Sequence, residues 1–292
     1  MFFFFFRPSR EQLADWHRER KLRPLRRSVS LATPEGRAIA AEYLGNLQDK
    51  DAIKALSSAL LKDKIAAVRR AAAHALGKLG PEALGALSQA LRNDADVVVR
   101  ETTATSLGGL RDLQAVPFLE EAILMDSKAV VRAAAARALG QLGALASLPK
   151  LRSALLSGHP LLTEGAAYAL DLLSHGTTLE GRERAAYLVG LGRFIEGAEQ
   201  DPGVLDLLLL RAAISRDGSA LPDGLLEAIC KIPSDDAVSF LGHRLLSLRR
   251  VLSGGPLPEL YARLQREAQL IESALRAVGS KEAEEALAGH VA

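Results

Sequence analysis

Three arginines, Arg69, Arg100 and Arg132, each follow an aspartate by six residues, namely Asp63, Asp94 and Asp126. A guanidinium and a carboxylate at fixed spacing can bind an outside anion or pair with each other. Because the acid recurs with every base, the spacing predicts internal pairing, a ladder of structural ion pairs in which each aspartate also caps the helix that follows. Patterns for catalysis are sparse. The histidines His17, His74, His159, His175, His243 and His290 are scattered and form neither H-E-x-x-H nor a Cys/His cluster, so no metal site is expected. Gly190-Leu191-Gly192 follows no strand pattern and its third glycine is misplaced for a dinucleotide fingerprint, which leaves helix packing or termination as its role. No P-loop or G-x-S-x-G occurs, and Asp235-Asp236 and Glu284-Glu285 sit in polar stretches that read as a helix start and a solvated face. No cofactor is expected.

The elements that must position the ladder follow from a repeat. Val68-Arg69 through Leu76-Gly77, Val99-Arg100 through Leu107-Gly108 and Val131-Arg132 through Leu139-Gly140 align, their arginines 31 and then 32 residues apart. Arg37 leads to Leu44-Gly45 at the same spacing, and Thr163 to Leu170 keeps the frame with Thr for Arg and Asp171 for Gly. A unit this long holds two helices and encloses no core alone, so neighbours must stack. Second amphipathic runs lie between, from Ala52 to Leu61, Glu82 to Leu91, Val116 to Leu124 and Ser147 to Leu156, separated by turns such as Gly80-Pro81. Composition agrees: with 48% hydrophobic but only 4% aromatic residues, the core must be mainly Ala, Leu, Ile and Val, which suits close-packed helices.

Within the frame, alanine stands four residues after the arginine position at Ala41, Ala73, Ala104, Ala136 and Ala167. Leucine stands seven after it at Leu44, Leu76, Leu107, Leu139 and Leu170. Small and large residues held at fixed places describe helix packing. Five after the arginine, Glu42, His74, Thr105, Arg137 and Tyr168 vary freely, and so do Asn46, Lys78, Gly109, Gln141 and Leu172 nine after it, as solvent-facing positions do. The pattern Asp then V-R-x-x-A-x-x-A-L-G resembles the HEAT repeats of the phycobilin lyase type over about residues 34 to 175. That resemblance implies an all-α fold, a right-handed αα superhelix of the HEAT/ARM solenoid type. Its second helices would line a concave face, which makes Glu42, His74, Lys78, Thr105, Arg137, Gln141 and Tyr168 the expected partner-binding residues. It also implies the ladder of Asp63, Arg69, Asp94, Arg100, Asp126 and Arg132.

After residue 178 the period fails, and irregular helices are expected near 182–195, 203–215, 223–231, 235–252, 257–278 and 281–289, separated by breaks such as Asp201-Pro202-Gly203 and Ser253-Gly254-Gly255-Pro256. The organisation expected is a leader at 1–32 with one short helix, a repeat solenoid at 33–177, and divergent helical repeats with a C-terminal cap at 178–292. Residues 7 to 27 carry eight Arg or Lys against three acids on a chain whose net charge is +2, so the remainder is net acidic. The leader joins an apolar run, Phe2, Phe3, Phe4, Phe5 and Phe6, to this cluster, including Arg18, Arg20, Lys21, Arg23, Arg26 and Arg27. Ser9 and Gln12 have capping-box spacing, predicting a helix from about Arg10 to Leu22 that ends before Pro24 with Leu13 and Trp16 on one side. The leader can contact an anionic membrane, self-associate through its phenylalanines, or cap the solenoid. The phenylalanine run is shorter than the roughly 7 to 15 residues of a signal-peptide core, and its charges follow it. No stretch nears the roughly 20 apolar residues of a membrane span. A single cysteine, Cys230, suits a reducing compartment. A cytoplasmic protein is expected, peripheral to the inner face of a membrane if the leader anchors it.

These features fit a non-catalytic scaffold or adaptor binding a protein partner on its concave face. The resemblance raises a second class, a chromophore-handling protein of the phycobilin lyase kind, which needs a tetrapyrrole pocket rich in aromatic and acidic groups. The repeats are poor in aromatics. A third, a HEAT-like DNA glycosylase, needs a basic groove with aromatics for an exposed base. The body is net acidic and the only tryptophan, Trp16, lies in the leader, so nucleic acid is not an expected partner.

Overall fold

The computed structural model describes residues 7–213, 221–222, 224–232, 234–254 and 258–289. The run Phe2 to Phe6 lies outside them. Among the described residues every regular element is helical, and the chain is an all-α solenoid of stacked helical pairs. It divides into two compact units. One extends to Ala154 and takes in Tyr168–His175, and the other comprises Leu155–Ala167 and the chain from Gly176.

In the first unit the helices are α1 (Arg10–Arg18), α2 (Leu22–Leu31), α3 (Pro34–Asn46), α4 (Ile53–Lys62), α5 (Ala66–Leu76), α6 (Leu84–Asn93), α7 (Val97–Gly109), α8 (Val116–Met125), α9 (Ala129–Gln141) and α10 (Leu148–Leu155), whose last residue passes to the other unit. Helix α11 (Pro160–Leu172) is shared between the units. From α2 on, even-numbered outer helices pack as hairpins on the odd-numbered inner helices that follow, and inner stacks on inner, outer on outer. The leucine column supplies the buried seam: Leu44, Leu76, Leu107 and Leu139 are fully buried, as are Leu56, Leu87, Leu119 and Leu151 of the outer row. Each burial contributes about 1.5 to 3 kcal/mol.

The inner helices approach more closely than the outer ones, and the glycine after each leucine allows it. A Cβ at Gly45 would stand 2.8 Å from Ala75 Cα, one at Gly77 2.7 Å from Ser106 Cβ, and one at Gly140 2.6 Å from Ala169 Cα. The facing positions are small, six residues after the arginine position at Ala75, Ser106, Ala138 and Ala169. Tighter spacing on the inner side makes that side of the unit concave. Each inner helix then ends on a left-handed residue at one place in the frame, Gln48, Gly80, Arg111, Gly143 or Ser174. After the first four of these, a 3-10 turn at Lys50–Ala52, Pro81–Ala83, Leu113–Ala115 or Leu145–Ser147 leads into the next outer helix.

The leader departs from the expectation of one helix ending before Pro24. Ser9 caps α1 as its spacing predicts, its Oγ accepting from the Gln12 amide at 3.1 Å. The helix stops at Arg18, the backbone turns left-handed at Arg20, and α2 begins at Leu22 with Pro24 inside its first turn. First-turn amides have no partner within the helix, so a proline is tolerated there. Leu13, Leu25 and Val29 are buried, and α1 and α2 both pack on α3, supplying that helix with its outer partner. The leader's aliphatic faces therefore point into the protein.

The second unit contains α12 (Gly181–Gly190), α13 (Phe194–Gln200), α14 (Leu205–Ala213), α15 (Leu225–Cys230), α16 (Asp235–Ser253), α17 (Pro258–Val278) and α18 (Lys281–Ala288). The single helix expected at 182–195 is two, because the chain turns at Gly192 with φ 80°. At the ladder position of α11, Thr163 donates its hydroxyl to the Leu155 carbonyl at 3.0 Å, holding the interhelix loop without an arginine.

Candidate functional site

The ladder exists, and its pairing runs forward by one unit. Arg37 donates to both oxygens of Asp63 at 2.7 and 2.9 Å, Arg69 to both of Asp94 at 2.7 and 2.8 Å, and Arg100 to both of Asp126 at 2.8 and 3.1 Å. Each arginine turns its remaining nitrogen back on its own loop, as Arg69 does to the Asp63 carbonyl at 3.0 Å and Arg100 to the Asp94 carbonyl at 2.9 Å. The aspartates do not cap the following helices. They accept instead from the amide two residues on, that of Ile65, Asp96 or Lys128, and so shape the loop. Arg132 departs from the expected ladder. Among the described residues its hydrogen bond is to the Asp126 carbonyl at 2.8 Å, because 25 and 26 residues on the sequence holds Ser157 and Gly158 rather than an aspartate.

Burial opposes ionisation of Asp63, Asp94 and Asp126, but the arginine hydrogen bonds, the loop amide and the arginine charges outweigh it and hold each carboxyl below its ordinary value. A carboxyl depressed in the folded state adds stability above its unfolded pKa of about 3.9, and that stability disappears as pH falls through the lower folded value. Melting temperature is therefore expected to hold from neutrality to about pH 5 and to fall below about pH 4. In Asp94→Asn the acid limb should be shallower; a limb as steep as that of the unmodified protein would remove the ladder from the acid response.

Only part of the leader's basic cluster is engaged within the protein. Arg26 is corrected from contact with an anionic surface: it donates to Asp49 at 2.5 and 2.6 Å and to Asp51 at 2.8 Å, clamping α2 to the turn before α4. Its pKa is raised, chiefly by the Asp49 hydrogen bond. Arg18 pairs with Asp15, and Lys21 with Glu19 at 2.5 Å. Arg20, Arg23 and Arg27 are exposed. Leu13 is buried beneath α1 near Gly36, and Trp16 is half-buried.

The variable columns lie on the inner helices of the first unit and face outward. Glu42, His74, Lys78, Thr105, Gln141 and Tyr168 are exposed and Arg137 is half-buried. Over α3 and α5 this face sinks into an open groove of about 500 Å³. Its floor is Ala38, Ile39, Ala67 and Ala71; α3 contributes Glu35 and Glu42, α5 contributes Arg70 and His74, Lys78 follows in the turn after α5, and Arg10 of α1 and Thr102 of α7 also line it. Lys78 donates to Asn46 Oδ1 at 2.8 Å across the two helices. Burial and then Lys78 lower the His74 pKa, with Glu42 pulling the other way. The columns five and nine after the arginine miss Glu35, Ile39, Ala67, Arg70 and Ala71. A signal was present, since the position one after the arginine runs Ala38, Arg70, Glu101, Ala133 and Glu164 and varies as freely as those two columns.

Among the described residues no group of three or more His, Cys, Asp or Glu could hold a metal ion, and no helix is long and apolar enough to cross a membrane. Burial pushes the Cys230 thiol up to about 11, so it is a poor nucleophile at neutral pH.

Comparison with known proteins follows the same lines. The family described as HEAT repeats matches residues 24–87 and 84–171. No curated protein sequence matches. Among solved structures, the complex of CpcE and CpcF of phycocyanin lyase from Nostoc sp. PCC7120 is similar at 24% identity and TM-score 0.47, over 86% of this chain and 94% of that one. Human deoxyhypusine hydroxylase in complex with glycerol is similar at 19% identity and TM-score 0.41, over 85% and 98%. An engineered protein is similar at 18% identity and TM-score 0.38, over 99% and 93%. None of the three assigns a ligand or a reaction to this chain.

Proposed function

Because this chain belongs to the HEAT-repeat family, we propose that it is a non-catalytic scaffold that binds a protein partner on the inner face of its first unit. One observation carries this reading. The side chains that vary from unit to unit stand exposed on one face of helices whose spacing and loops are held rigidly by the glycine contacts and the arginine ladder. A rigid frame with a changeable surface is what recognition needs, since ordering costs are met before the partner arrives. The single cysteine, half-buried Cys230, is consistent with a cytoplasmic setting.

The test uses a partner identified by affinity purification of the full chain and mass spectrometry. Replacing His74, Arg137 and Tyr168 together with alanine is expected to weaken its binding by about tenfold or more, with the melting temperature shifted by little, as for surface substitutions. Unchanged affinity in titration calorimetry would move the site off the inner face.

A further inference from the structure

The groove over α3 and α5 has a chemistry specific enough to name its occupant. Its floor carries no side chain longer than Ile39, and its alanines, Ala67 exposed and Ala38 and Ala71 half-buried, lie on helices whose backbone groups bond within themselves. An extended peptide laid on those methyl groups would leave its own N–H and C=O groups facing apolar surface, at a cost in unmade hydrogen bonds. An α-helix arrives with those groups already paired. The small floor also lets a helix axis settle at the roughly 8 Å seen where contact residues are small. From Ala67 to Ala75 the trough runs along eight residues of helical rise, about 12 Å or two turns, with Lys78 in the turn beyond.

Charge sets the flanks. Arg70, His74 and Lys78 stand four residues apart and form one stripe, the first two on α5 and Lys78 in the turn just past its end, while Glu35 and Glu42 stand seven apart along α3 and Arg10 of α1 also lines the groove. Elsewhere in this unit the inner-helix arginines Arg37, Arg69 and Arg100 meet carboxylates two-handedly, but Arg70 has no carboxylate partner among the described residues and Lys78 meets only the neutral Asn46. The stripe thus lacks the two-handed carboxylate partners of Arg37, Arg69 and Arg100, and the acids that line its groove are Glu35 and Glu42 of α3.

We propose that this groove receives an α-helix of a protein partner, which sets a face of small side chains on the alanine floor, carboxylates spaced four residues apart against Arg70, His74 and Lys78, and neutral or basic residues toward Glu35 and Glu42. The proposal rests on the inner-face reading above and adds the shape and charge of what binds there.

The test is selection of displayed random peptides of about 15 residues, long enough for three to four helical turns, on the full-length protein. Counter-selection uses Ala71→Arg, which fills the floor, and Arg70→Glu/Lys78→Glu, which reverses the stripe without filling it. Circular dichroism checks that each variant is folded, and either one suffices. Enriched peptides are expected to be helical when bound, to carry Asp or Glu at spacings of four with Ala, Ser or Gly on the adjoining face, and to weaken as ionic strength rises. Their affinity for Arg70→Glu/Lys78→Glu should fall by about tenfold or more, since like charges then face each other. Enrichment of extended, proline-rich or basic peptides that still need an open floor would overturn the helix while leaving the inner-face reading intact. If no enriched peptide distinguishes the protein from Ala71→Arg and from the charge reversal, the groove is not the binding surface and the proposal fails outright.

Discussion

Replacing Arg100 with alanine is expected to destabilise the protein by about 3 kcal/mol, a drop in melting temperature of roughly 6 to 12 °C. Arg100 and Asp126 keep only 12% and 8% of their side-chain surface exposed, so neither partner can turn to water when the other is lost. The substitution removes two charge-assisted hydrogen bonds to Asp126 and one to the Asp94 carbonyl, leaving the carboxylate only the Lys128 amide and the loop carbonyl without its guanidinium donor. Most of the cost is the stranded charge, so Arg100→Ala/Asp126→Ala should be less destabilised than the two single substitutions added together. Arg132→Ala is the internal comparison. Its guanidinium holds the Asp126 carbonyl and no carboxylate among the described residues, and its loss should cost about 1.5 kcal/mol. Equal effects at Arg100 and Arg132, read from denaturant or thermal unfolding, would show that the forward carboxylate contributes nothing.

Gly77→Val should cost about 3 kcal/mol for a different reason. A Cβ there would stand 2.7 Å from Ser106 Cβ and 2.9 Å from Ser106 Cα, and no rotamer change moves a backbone atom aside. Helices α5 and α7 would have to separate, opening the inner row at this step. Gly85 provides the opposite sign: it lies exposed in α6 with nothing within 4 Å of an added Cβ, so Gly85→Ala should stabilise by up to about 1 kcal/mol through helix propensity. Denaturant midpoints of the two variants should fall on either side of the unmodified protein. A Gly77→Val protein as stable as its parent would mean that the inner helices are not in contact at this column.

The sequence alone determined the repeat, the helical pairing and the rigid columns, because a unit that cannot enclose its own core must repeat the residues that join it to its neighbours. Ala and Leu at fixed offsets, and an aspartate accompanying each arginine, carry that requirement in plain view. Tertiary structure decided the direction of each pairing. Six residues separate Asp94 from Arg100, yet Asp94 takes its guanidinium from Arg69 and Arg100 gives its own to Asp126, since stacked units bring the next loop nearer to the arginine fork than its own carboxylate. The same stacking withdrew Arg26 from the basic leader, where nothing local distinguishes it from Arg23 or Arg27, and gave it Asp49 from the following turn. It also placed left-handed residues at Gln48, Arg111 and Ser174, where only Gly80 and Gly143 announce such a turn in their residue type. The packing of neighbouring pairs dictates how the chain must leave each inner helix, and it holds that conformation whether or not a glycine is present to ease it.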